Sequence, residues 1–325
     1  VLSRRDALKA VAAGAVALRS RVSRAFASAS QPSTPVRFAV PTGACDCHTH
    51  VFGDPRRFLY AAARTYTPEP ASVEEMRALH SALRVDRVVI VQPSVYGTDN
   101  ACTLEAIRAL GPRARGVAVI DERVNDAELD ALTHGGIVGV RINLLSSGER
   151  DPAVARRRFD AAVGRIRGVR WHVQMYTELP IVVALKARIA ASPVPVVFDH
   201  FAGAQAAPGK AQPGFDTLLD LLRGGRVYVK ISGAYRASTR APDYADVTSL
   251  ATALIAANRA RIVWGTDWPH PDSARMPGRA ATDIAPLLQI DDGRVMNQLD
   301  VWAPNAADRK AILVDNPSAL YGFGG

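Results

Sequence analysis

The stretch GACDCHTHVFGD, residues 43–54, sets two histidines, His48 and His50, two positions apart. On a strand, side chains alternate faces with period two, so both imidazoles point the same way. Paired imidazoles near the carboxyl end of a strand suit a metal site or acid–base chemistry. A partner stands near the other end of the chain, where IVWGTDWPHP (262–271) carries Asp267 just past an apolar run. A carboxylate whose proton affinity is set by neighbouring imidazoles can take a proton from water. Another apolar run, PVPVVFDH, closes on His200. Arg141 interrupts the apolar GIVGVRIN, and a buried arginine is costly unless paired, which points to an anionic partner.

Groups this far apart in sequence need a scaffold that gathers strand ends. Eight apolar runs rich in Val and Ile recur: Ala44–Val51, Arg87–Gln92, Gly116–Asp121, Ile137–Asn143, Trp171–Tyr176, Pro195–His200, Val227–Ser232 and Arg261–Asp267. They do not alternate with polar residues, the pattern of parallel strands buried on both faces. Segments of helical periodicity separate them, at Val73–Leu83, Thr103–Leu110, Asp126–Thr133, Phe159–Ile166, Leu179–Ala190, Phe215–Leu222 and Tyr244–Asn258. Eight such units over residues 43–325 predict an α/β fold, a single-domain (β/α)8 TIM barrel. An open doubly wound sheet is the alternative, but no Gly-rich dinucleotide fingerprint opens a helix. Barrel active sites use the carboxyl ends of strands. Seven of the eight runs end in a group able to bind a ligand or move a proton: His48 with His50, Gln92 with Ser94, Arg141 with Asn143, Tyr176, His200, Ser232 with Arg236, and Asp267 with His270. Asp199 precedes His200 and on a regular strand points away from it, which reads as structural. His80 and His134 read as helix residues outside the site.

The chain of 325 residues is 48% apolar and 22% charged, ordinary for a globular protein. Its net charge of +9 is uneven. Six basic residues against Asp6 in residues 1–27 give +5, leaving +4 for the rest. That mild balance, with few aromatics, calls for neither a nucleic-acid nor a membrane partner. Residues 1–27 read as a twin-arginine-type signal: Arg4 and Arg5 in SRRDALKA, the apolar Ala10–Leu18, then the small-residue Ala25-Phe26-Ala27. Ala7 stands where that motif has an apolar bulky residue. Export to the periplasm follows from this reading, with no membrane attachment after signal removal. Ser/Pro-rich residues 28–42 read as a linker. The three cysteines, Cys45, Cys47 and Cys102, are expected as free, buried thiols.

The ordered set DCHTHVFGD, RTYTPEPAS, VVIVQPSVYGTDN, GVRIN, WHVQMY, VFDH, VKIS, WGTDWPH and LVDNPSALY resembles the amidohydrolase superfamily over residues 43–322. Within it, the chain is most similar to the branch of small lactone hydrolases, the 2-pyrone-4,6-dicarboxylate lactonase family. The resemblance implies that Asp267 is the general base for the hydrolytic water. His48, His50 and His200 then surround the scissile carbonyl and polarise it, or bind a metal. Arg141 and Arg236 hold a substrate carboxylate, and Tyr66, Ser94 and Tyr176 supply hydrogen bonds. The branch implies no metal; a single zinc on His48, His50, His200 and Asp267 is the alternative. Two departures stand out. The family's second arginine after the fourth strand is replaced by Leu144-Leu145-Ser146-Ser147, with Arg150 farther on. The fifth strand ends in Tyr176 rather than a metal-binding side chain, and His172 lies at its amino end.

The expected activity is opening of a small, anionic, carboxylated lactone by Asp-activated water. The alternatives are a sulfomuconolactone or sugar-acid lactonase and a D-galactarolactone-type isomerase, to which GAYRAS and the following PDYADV are similar. A non-catalytic periplasmic binding protein on the same barrel is the third class.

Overall fold

The computed structural model describes residues 29–273 and 276–324. The segment read as an export signal lies outside the described residues. Eight strands form one parallel sheet in sequential order: β1 (Cys45–Thr49), β2 (Arg87–Val91), β3 (Ala114–Ala118), β4 (Ile137–Asn143), β5 (His172–Tyr176), β6 (Val196–Phe198), β7 (Val227–Ser232) and β8 (Ile262–Gly265). The first and last strands meet through backbone bonds just at and beyond their carboxyl ends. Asp267 N–H donates to the His48 carbonyl and His50 N–H to the Trp268 carbonyl, both at 2.8 Å. The sheet thus curls into the expected (β/α)8 barrel, and its seam runs through the two motifs that carry the candidate chemistry.

Helices α1 (Val73–Leu83), α2 (Ala101–Leu110), α3 (Asp126–His134), α4 (Pro152–Ile166), α5 (Leu179–Ala190), α6 (Phe215–Arg223) and α7 (Thr248–Asn258) alternate with the strands. Their starts are written locally. Ser72 with Glu75, and Asn125 with Glu128, form capping boxes, in which each side chain satisfies the other residue's free backbone N–H. α1 buries Met76, Leu79, His80 and Leu83, the i, i+3, i+4, i+7 stripe of a helix lying on a sheet. Inside the amino-terminal end of the barrel, Cys45 and Cys47 pack with Val89, Val91 and Val117, and Tyr321 and Phe323 join the same cluster. All three cysteines are buried free thiols.

Residues 29–42, read as part of a linker, carry no helix or strand but are tied to the barrel. Ser33 and Thr34 bond to the Asp291 carboxylate, Arg37 N–H donates to Asn297 Oδ1, and the Ser30 carbonyl accepts from Trp268 Nε1. Among the described residues, no helix is long and apolar enough to cross a membrane.

Candidate active site

Asp267 lies two residues past β8, where the backbone turns left-handed at φ 68° and lifts the side chain into the barrel mouth. Its Oδ2 accepts from the Tyr235 hydroxyl at 2.7 Å and from Arg236 Nε at 2.5 Å. Its Oδ1 faces three imidazoles: His48 Nε2 at 3.6 Å, His50 Nε2 at 3.5 Å and His200 Nε2 at 3.7 Å. All four side chains are buried. Burial pushes the Asp267 carboxyl up, but its charged and hydrogen-bonding neighbours, the Arg236 guanidinium foremost, outweigh it and hold it well below the usual carboxylate range. Asp267 is therefore ionised at neutral pH. Burial lowers the histidines: His48 well below its ordinary value, His50 below it, and His200 to about 4. They are neutral in the resting site.

Each imidazole is oriented through its other nitrogen. His50 Nδ1 bonds the Val91 carbonyl at 2.7 Å, which requires a proton on Nδ1 and leaves a lone pair on Nε2. His200 Nδ1 is 2.9 Å from Ser232 Oγ. His48 Nδ1 lies 3.2 Å from Asp199 Oδ1 and 3.3 Å from Lys230 Nζ. The ligand atoms of His48, His200 and Asp267 lie within 4.8 Å of one another. Two of them, His48 Nε2 and Asp267 Oδ1, are buried without a hydrogen-bond partner. With His50 Nε2 beside the same oxygen, the donor set fits a single divalent ion such as zinc.

The remaining predicted residues line the same space. Tyr176, at the end of β5, sets its ring edge-on to His200, with centroids 5.1 Å apart. The Arg141 and Arg236 guanidiniums sit 5.7 and 5.9 Å from the Tyr176 ring centre, so two cations lie against one aromatic ring. Arg141 Nη1 donates to the Gln92 carbonyl, while its buried Nε has no partner. Tyr66 is buried, and burial pushes its hydroxyl up to about 12, against the pull of Arg141, Arg236 and Ser94. Gln92, Ser94, Arg141 and Asn143 also line a cavity of about 680 Å³ that extends past Val119 and Ile120 to α4.

One expectation changes. Asp199 does not point away: after β6 the chain enters the left-handed region at His200, Phe201 and Ala202, breaking strand alternation, so Asp199 and His200 both face inward. Arg236, expected on a substrate carboxylate, has Asp267 as its partner in the resting site. His270, named with Asp267 at the end of the eighth run, is buried with Nε2 2.9 Å from Asp292. Arg150 does not replace the family's second arginine, because its Nε is 2.8 Å from Glu178 and its side chain is 65% exposed. Sequence reasoning missed Lys230, Gln174 and Tyr235. Lys230 carried the same signal as Arg141, a lone charge inside the apolar VYVKIS.

Residues 45–323 match the amidohydrolase family Amidohydro_2. The chain is 36% identical over 294 residues to the 4-sulfomuconolactone hydrolase of Hydrogenophaga intermedia, covering 89% of this chain and 91% of that one. It is 33% identical over 302 residues to the 2-pyrone-4,6-dicarboxylate hydrolase of Comamonas testosteroni (90% and 94%). It is 30% identical over 290 residues to the D-galactarolactone isomerase of Agrobacterium fabrum (87% and 92%). An apo crystal structure of ATU3138 from Agrobacterium tumefaciens superimposes with a TM-score of 0.75 at 28% identity, over 90% of this chain and 98% of that one. A barrel closed through its histidine and aspartate motifs, matched over nearly its whole length by these proteins, belongs to the amidohydrolase family.

Proposed function

We propose that this enzyme hydrolyses a small lactone carrying an anionic group, with Asp267 as the general base. The observation that carries the reading is the division of labour at Asp267. Its Oδ2 is fixed by Tyr235 and Arg236, whereas its buried Oδ1 has no hydrogen-bond partner and faces three imidazoles. Oδ1 is thus the atom placed to accept a proton from water as the water attacks the ring carbonyl. His200 can accept from Ser232 on Nδ1, which leaves Nε2–H as a donor to the developing oxyanion. The tetrahedral intermediate collapses by breaking the ring C–O bond, and the proton held on Asp267 passes to the departing ring oxygen. Arg141 and Arg236, flanking Tyr176, supply the cationic wall for a carboxylate or sulfonate. Relatives named as hydrolases of a sulfonated and of a dicarboxylated lactone support that substrate class.

A second reading, lactone isomerisation, is favoured by the relative named D-galactarolactone isomerase. Turnover in ¹⁸O-labelled water separates the two. Hydrolysis places one ¹⁸O in the new carboxylate of the product; migration of the ring closure places none. Unlabelled product from a competent lactone would overturn the hydrolytic reading.

His48, His50, His200 and Asp267 would hold a divalent ion, which when bound supplies a Lewis acid and a more acidic water. The working mechanism needs only the side chains. Arg236 and Tyr235 already draw on the Asp267 carboxylate, and Arg236 and Lys230 add positive charge around the donor set. Activity is therefore expected to survive chelation and dialysis, with well under one equivalent of zinc per chain. Stoichiometric metal whose removal abolishes turnover is the contrary result.

We also propose export through residues 1–27, on the strength of Arg4 and Arg5 followed by an apolar stretch. Arg4→Lys with Arg5→Lys is expected to leave the protein in the cytoplasm. Fractionation that finds it in the periplasm at the usual level sinks this assignment.

A further inference from the structure

We infer that Asp199, held by Lys230, is the positioning residue that fixes the tautomer of His48 and so turns its Nε2 lone pair toward Asp267. The argument begins with Lys230, which is fully buried on β7. Its ammonium carries three protons. Two are spent on the Cys47 carbonyl at 2.8 Å and Gln174 Oε1 at 2.7 Å. The third has two takers, Asp199 Oδ1 at 3.4 Å and His48 Nδ1 at 3.3 Å. His48 Nδ1 is itself 3.2 Å from Asp199 Oδ1. A cation and a carboxylate thus compete for one ring nitrogen, and the winner decides what the other nitrogen presents to the reaction space.

Hydrogen-bond satisfaction decides between the two arrangements. If Lys230 donates to His48 Nδ1, then Asp199 Oδ1, buried and otherwise without a partner, is left bare. The Nε2–H of that tautomer stands 3.6 Å from Asp267 Oδ1, beyond hydrogen-bond reach, so it does not offset the bare Asp199 oxygen. If His48 carries its proton on Nδ1, that N–H and the third Lys230 proton both reach Asp199 Oδ1, and every charged group in the cluster is served. Gln174 Nε2 holds the other carboxylate oxygen at 3.1 Å, and Arg141 Nη2 approaches it at 3.6 Å. Asp199 is therefore gripped on both oxygens and cannot turn away from the imidazole. His48 then matches His50, whose Nδ1 proton is spent on the Val91 carbonyl. Two lone pairs, rather than two N–H groups, face Asp267 Oδ1. Either role open to that lone pair, holding a water proton or a metal ion, needs this tautomer.

The test reads the tautomer directly, and so does not depend on which lactone is turned over. Histidine-selective ¹⁵N labelling and long-range ¹H–¹⁵N correlation of the purified protein report which nitrogen carries the proton, with the His48 signals identified from a His48→Asn spectrum. The expected wild-type pattern is protonated Nδ1 and unprotonated Nε2. Asp199→Asn keeps the shape and the Gln174 contact but removes the anion, and is expected to move the proton to Nε2. It should lower kcat by one to three orders of magnitude with KM within a few-fold. Because a lone substitution leaves Lys230 buried without its counter-charge, Asp199→Asn with Lys230→Met serves as the second variant. That pair removes both charges together and is expected to fold while losing the Nδ1–H tautomer and the kcat. Protonated Nε2 in the wild type, or an unchanged tautomer in the folded double variant, overturns the assignment. Failure to find a lactone substrate would count against the proposed function and leave the tautomer readout standing.

Discussion

At the scale of single residues, the site is an ionised carboxylate kept ready by what surrounds it. Asp267→Asn preserves volume and can still meet Tyr235, but it removes the proton acceptor. kcat is expected to fall by about two to four orders of magnitude, with binding of a competitive lactone analogue largely retained. Activity within a few-fold of wild type would remove Asp267 from the mechanism. The residues that the structure gathers around Asp267 were readable from sequence because they stand at or just beyond the ends of apolar runs, as His48, His50, His200 and Asp267 do, or as a lone charge within one, as Arg141 does. The layer beneath them was not. Lys230 interrupts VYVKIS as Arg141 interrupts GIVGVRIN, but only the barrel's curvature brings it to His48 and to Gln174, an uncharged residue inside β5. Asp199 was misassigned because period-two alternation assumes a strand that continues, and here β6 ends at Phe198. Tyr235 was invisible because it acts from a short helical turn, Ala234–Ala237, whose direction no periodicity announces.

At the scale of elements, strands were read at nearly their observed positions, but several were read too long at the carboxyl end. The sixth run was expected to reach His200 and ends at Phe198; the eighth was expected to reach Asp267 and ends at Gly265. The excess residues leave the sheet to build the site. Gly233, between β7 and the turn bearing Tyr235 and Arg236, shows what this exit requires. It sits at φ 56°, and an added Cβ would lie 2.8 Å from His200 Nδ1 and 3.2 Å from Asp267 Oδ2. Gly322 has a similar left-handed backbone, at φ 67°, with nothing within 4 Å of a Cβ. Both Gly→Ala changes incur the left-handed penalty of about 1–2 kcal/mol. Gly322→Ala is expected to lower the melting temperature and leave kcat intact. Gly233→Ala should lower the melting temperature and also depress kcat by at least tenfold, since His200 must shift. Equal kinetics in the two variants would show that the close contact at Gly233 does not govern the site.

At the scale of the whole molecule, the barrel holds in its interior groups that an unfolded chain would protonate readily, and this sets its response to acid. His48, His50, His172 and His200 all have lowered proton affinity, burial being the largest cause in each. His200 is lowered to about 4 and His172 to about 3, against 6.5 for an unfolded histidine. Below 6.5 the unfolded state therefore binds protons that the folded state refuses. The stabilising difference is complete above 6.5 and is lost progressively as pH falls toward the folded values. Asp199 and Asp267 act in a separate, lower window. Both are held well below 3.8, where burial alone would raise them, so their contribution persists until the pH drops beneath the ordinary carboxylate range. Urea titrations between pH 8 and 4 are expected to give a plateau above about pH 7 and a steady decline below 6.5. His172 allows the histidine share to be isolated, because it opens β5 and packs against Tyr321 in the barrel interior. His172→Leu removes one titrating group and should reduce the slope by about 1.4 kcal/mol per pH unit between pH 6 and 4. An unchanged slope in that variant, or wild-type stability that stays flat from pH 7 to 5, would mean that the buried histidines do not set the acid limit of this barrel.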